Sequence, residues 1–69
     1  MTPEDKAWLD QHPHILGNVG HTREQLVQLY AIYNRLTNEN KAVTGCGRCI
    51  MNTKKTIKYY YDQEISKNQ

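Results

Sequence analysis

Two cysteines separated by two residues, in Thr44-Gly45-Cys46-Gly47-Arg48-Cys49-Ile50, are the side chains of this chain best placed by type and spacing to do chemistry. Thiols so close can share a metal ion, cycle between dithiol and disulfide, or pack as small apolar groups. As a redox pair they have suitable surroundings, because a helix start and Arg48 both favour a thiolate. The motif of that type normally follows a strand in a βαβ unit, and no strand pattern occurs here. As zinc ligands they need two further donors, for which His12, His14 and His21 stand in one loop. Of these, His14 and His21 are the candidates to join Cys46 and Cys49, since Pro13 stiffens the link between His12 and His14. The order histidines-then-cysteines is the reverse of the common finger. As packing groups, both thiols fall on the apolar face of the helix that follows, and free cysteine is among the most buried residue types. On these grounds packing is the expected role, no cofactor is required, and zinc stays open as a stabiliser.

The chain around them has 69 residues, enough for one domain with a small core. With no Phe, the aromatic area comes from Trp8, Tyr30, Tyr33, Tyr59, Tyr60 and Tyr61. A mean hydropathy of −0.85 and the absence of a long apolar run argue against a membrane span. The acidic start Met1-Thr2-Pro3-Glu4-Asp5 has no apolar stretch, so no signal peptide is expected, and a reducing cytoplasm is the expected setting for the thiols.

Charge is uneven. Residues 1–40 hold three cations against five anions, whereas residues 41–69 hold six against two. The basic half favours an acidic partner, either a protein surface or a nucleic acid.

Three helices carry these residues, so the expected class is all-α: a short N-terminal helix and two longer packed ones in a single domain. Thr2-Pro3-Glu4-Asp5 reads as an N-cap, a proline in the first turn and two acids at the positive end of the dipole, and Pro13 ends that helix. Residues 12–21 form a loop whose Ile15, Leu16 and Val19 can plug the core. Thr22 and Gln25 make a capping box for a second helix, residues 22–38, with Leu26, Leu29, Tyr30, Ile32, Tyr33 and Leu36 on one stripe. The third helix, residues 46–65, turns Cys46, Cys49, Ile50, Thr53, Ile57, Tyr60 and Tyr61 to one side, and the tail from Ser66 is expected to fray. The expected core is Leu26, Leu29, Tyr30, Tyr33, Leu36, Ile50, Ile57, Tyr60 and Tyr61, with Trp8 covering one end.

Opposite that face, Arg48, Asn52, Lys55 and Tyr59 recur at helical spacing, with Lys54 and Lys58 at the margins of the row. Tyrosine and arginine are common interface anchors, so this row is the candidate partner-binding surface. The chain has no paired carboxylates, serine elbow or phosphate-cradling glycine loop, and an enzyme is not expected.

The segment Leu29-Tyr30-Ala31-Ile32-Tyr33-Asn34-Arg35-Leu36, followed by Cys46-Gly47-Arg48-Cys49-Ile50, resembles small helical proteins encoded by tailed phages and prophages. In these an L-Y-x-I-Y-N helix precedes C-G-x-C and a helix rich in lysine and tyrosine. The resemblance spans residues 26–61. It implies a phage origin, as a virion accessory component or a modulator of host machinery acting in the host cytoplasm, and it transfers no residue roles.

Overall fold

In the computed structural model, residues 1–17 and 20–67 are described, Lys67 by its backbone alone. Three helices make the fold: α1 (Pro3–Gln11), α2 (Arg23–Thr37) and α3 (Gly47–Lys67). Among the described residues there is no strand, and the protein is a small all-α domain.

The helix ends follow from local chemistry. The Thr2 hydroxyl accepts the Asp5 N–H at 3.1 Å, and His12, just ahead of Pro13, closes α1. At the start of α2 the Thr22 hydroxyl accepts the Gln25 N–H at 3.1 Å, while the Gln25 side chain accepts the Thr22 N–H at 2.8 Å. Asn38 ends α2 in the left-handed region, φ 56°, a conformation that asparagine tolerates better than most residues. The third helix continues to Lys67, past the Ile65 end expected from sequence, and includes Ser66. Val19 lies outside the described residues.

The α2 and α3 helices run in the same direction. Near their starts Leu26 and Tyr30 pack with Ile50; further along, Leu29, Ile32 and Tyr33 pack with Ile57; near the far end of α2, Arg35 and Leu36 share a hollow with Tyr60. Parallel neighbours need a connection that retraces the helix. The 15 residues of α2 rise about 22 Å at 1.5 Å each. An extended segment from Asn38 to Cys46 reaches about 26 Å, just enough. Asn34 fixes its path from both sides: its side chain donates to the Lys41 carbonyl at 3.0 Å and accepts the Lys41 N–H at 2.9 Å. The Lys41 ammonium then lies 4.9 Å from the centre of the Tyr33 ring, the Tyr33 hydroxyl donates to Glu39 at 2.6 Å, and Val43 packs against Leu26, Tyr30 and Ile50.

The first helix runs opposite to α2. Asp5 meets Arg35 near one end, and Trp8 and His12 face Thr22 and Gln25 at the other. It does more than cap the bundle. Leu9 is buried in the main core with Ile15, Leu29, Ile32, Tyr33 and Ile57, whereas Trp8 is only half-buried, stacked on the His12 ring. Three expected core residues, Leu36, Tyr60 and Tyr61, sit at the rim. Tyr61 keeps its hydroxyl on the Asp10 carboxylate, a polar end that favours the boundary.

Asp5 is buried (5% exposed) and held by Arg35 through bonds of 3.0 and 2.5 Å. The Arg35 guanidinium keeps the Asp5 carboxyl below the usual carboxylate range, against the opposing effect of burial. A lowered folded pKa contributes stability that is complete above the unfolded value of about 3.9 and is lost as pH falls through the folded value. Asp10, bonded to Tyr61 and Lys6, and Glu39, bonded to Tyr33, shift in the same direction. Thermal unfolding midpoints should therefore drop as pH falls below about 4, less steeply in Asp5→Asn. At pH 7, Arg35→Ala should cost about 2 kcal/mol in urea unfolding, because the Asp5 carboxylate loses its partner. In the connector, Asn34→Ala should cost about 1 kcal/mol and raise amide exchange across residues 39–45, leaving α1 exchange unchanged.

Candidate functional site

The chain returns to the start of α2 at Thr44-Gly45-Cys46, and the third helix starts there. Cys46 stands in the N-cap position. Its carbonyl accepts the Ile50 N–H at 3.0 Å, and its sulfur accepts the N–H of Cys49 at 3.3 Å, as a serine oxygen would. Its own N–H donates to the Thr44 hydroxyl at 3.2 Å. The Thr53 hydroxyl donates to the Cys49 carbonyl at 2.9 Å, which satisfies a buried side chain and ties the first turn to the next.

Both thiols are exposed, which corrects the expectation that they pack in the core. Angular position places them on the apolar side of α3, but it does not say how far the neighbouring helices reach along the axis. Among the described residues Ile50 is the first of α3 to join the core, with Leu26 near the α2 start, and the turn before it is exposed. The flanks are open as well: a side chain added at Gly45 or Gly47 would meet nothing within 4 Å.

The two sulfurs are 2.8 Å apart, with the Cys49 S–H donating to the Cys46 sulfur. That bond, joined by the backbone N–H groups of Cys49 and Arg48, stabilises a Cys46 thiolate and holds its pKa below the ordinary thiol value. For the same reason the Cys49 thiol is pushed up: its proton is shared with Cys46, and the charge of that neighbour opposes a second thiolate. The pair is therefore asymmetric: Cys46 is the more readily ionised sulfur and Cys49 the less, in contact with each other.

The histidines lie elsewhere. His14 is exposed, and His12 stacks on Trp8 with its Nδ1 2.7 Å from the Trp8 carbonyl oxygen. His21 is half-buried, its Nδ1 enclosed without a hydrogen-bond partner. Among the described residues no three histidine, cysteine or acidic side chains are grouped to hold a metal, so His14 and His21 are not brought to Cys46 and Cys49.

The polar row of α3 is open to solvent: Arg48, Asn52, Lys55 and Tyr59 are all exposed, Tyr59 to 61%. No hydrogen bond or ion pair joins the side chains of Arg48, Asn52 or Lys55 to another described residue. Its margins differ. Lys58 is exposed and paired with Asp62 at 3.1 Å. Lys54 is buried (2% exposed), its ammonium donating to the Gly17 carbonyl at 3.2 Å, so it belongs to the interior rather than the row. The sequence signal was present: Lys54 lies four residues after Ile50 and three before Ile57, on the core stripe. Burial lowers its pKa.

No protein-family model matches the chain, and no curated protein or solved structure matches it significantly.

The asymmetry of the thiols has a direct readout. Limiting iodoacetamide at pH 7 should label Cys46 several-fold faster than Cys49, measured by peptide mass, with the rate midpoint of Cys46 lying below that of Cys49. Equal labelling would contradict the assignment.

Proposed function

We propose that this protein is a non-enzymatic interaction module, a small phage protein that docks on an acidic surface of a larger protein assembly through the exposed row of α3. Arg48, Asn52, Lys55 and Tyr59 form the contact surface, with Lys58 at its edge. The observation that carries the reading is the contrast on this one helix. Lys54 is buried and Lys58 is paired, while the two cations of the row point outward with no described partner, in line with an exposed tyrosine. Such a row offers an aromatic anchor framed by charge. The assembly is a virion, or host machinery in the cytoplasm of an infected cell.

The same contrast favours a protein over a nucleic acid. Arg48 and Lys55 are the two cations of the row that no described residue pairs, so few phosphates can be neutralised there, and the salt dependence expected of about two contacts is shallow.

Arg48→Glu with Lys55→Glu tests the surface. Both positions are exposed and helix propensity barely changes, so the circular dichroism spectrum should persist and stability should move by less than about 0.5 kcal/mol. Affinity purification from host lysate should then retain a protein on the wild-type chain and lose it on the variant. Retention of the same protein by both chains would place the interface elsewhere.

A further inference from the structure

Beyond a docking role, we propose that Cys46 and Cys49 are a two-electron dithiol–disulfide site that reduces an accessible disulfide, small-molecule or protein, and is itself closed to an intramolecular disulfide. Three observations carry this. Both sulfurs are exposed, the space beside Gly45 and Gly47 is open to an incoming group, and the sulfur–sulfur separation is 2.8 Å. A disulfide needs about 2.05 Å between its sulfurs, so closing the ring asks for a movement of less than about 1 Å at an uncovered first turn. Packing cysteines need none of these features.

The two steps divide between the residues. Cys46 attacks as the thiolate: its sulfur forms a bond to one sulfur of the substrate disulfide, the substrate S–S bond breaks, and the other half leaves as a thiolate. Cys49 is held protonated up to this point by its bond to Cys46 and by the Cys46 charge. In the mixed disulfide that charge is gone, so Cys49 gives its proton to solvent and attacks the Cys46 sulfur. The second half then leaves as a thiolate. The dithiol loses two electrons and becomes a disulfide, the substrate disulfide gains them, and its halves leave as one thiol and one thiolate, the proton released by Cys49 going to one of them.

Arg48, between the two cysteines, belongs to both this site and the proposed docking row. The row faces the other side of α3 from the two thiols, so a partner held there is not thereby brought to them. The exchange chemistry itself does not need that partner.

Glutathione disulfide is the probe. The reduced full chain is equilibrated with it at pH 7, acid-quenched, alkylated and weighed. The wild-type chain should accumulate the form two mass units lighter than the dithiol, with neither cysteine alkylated and no stable glutathione adduct. Cys49→Ser should trap one glutathione on Cys46 as a stable adduct, and Cys46→Ser, which lacks the attacking sulfur, should take up at most one glutathione on Cys49 and form no lighter species. Serine is a good N-cap and position 49 is exposed, so both variants should keep the wild-type circular dichroism spectrum. A wild-type chain that stays reduced, or that ends with glutathione on both sulfurs, overturns the proposal.

Discussion

The fold depends on a length constraint between two helices and the segment that joins them. Parallel packing of α2 and α3 requires the chain to travel the full length of α2 backwards before α3 can begin, and the connector has little length to spare. Side chains from the last turns of α2 guide that path. Asn34 brackets Lys41, Tyr33 receives the Lys41 ammonium on its ring and reaches Glu39, and Asn38 supplies the left-handed turn that starts the return. An antiparallel pair would have needed only a few residues and none of this apparatus.

The same constraint explains why the thiols are exposed. The return path delivers the chain to the starting end of α2, and among the described residues nothing buries the first turn of α3 there. Ile50 begins the packed part of the helix. What precedes it is left to solvent, with Cys46 serving the backbone as a cap and Cys49 resting against it. A covered position would have made the cysteines inert.

Element by element, the sequence was most readable where backbone chemistry is local. The caps at Thr2 and Thr22, the stop before Pro13, the all-α class and the apolar stripe of α2 need only neighbouring residues to specify them, and each is as read. Leu26, Leu29, Tyr30, Tyr33, Ile50 and Ile57 are buried as expected. Placement that depends on tertiary reach was not readable. Cys46 and Cys49 share an angle with the core but lie beyond its end, and Tyr60 and Tyr61 settle at the rim. Lys54 is buried despite its charge because its angle on α3 leaves it little choice, and the Gly17 carbonyl accepts a hydrogen bond from its ammonium. Asp5, read as a first-turn acid serving the α1 dipole, also forms the link to Arg35, a pairing across 30 positions that no local pattern reveals.

The polar links between elements join residues far apart in the chain: Asp5 with Arg35, Lys54 with Gly17 across 37 positions, and Tyr61 with Asp10 across 51. A helical hairpin of this size can dock its helices by closing a short turn and gains local contacts early. Here the pairing of α2 with α3 must wait for the connector to be laid down, and the seating of α1 closes larger loops still. The entropy of those closures is lost before the contacts repay it. This topology should make the domain a slower folder than its helix content alone suggests, with its transition state reached only once the return segment lies along α2.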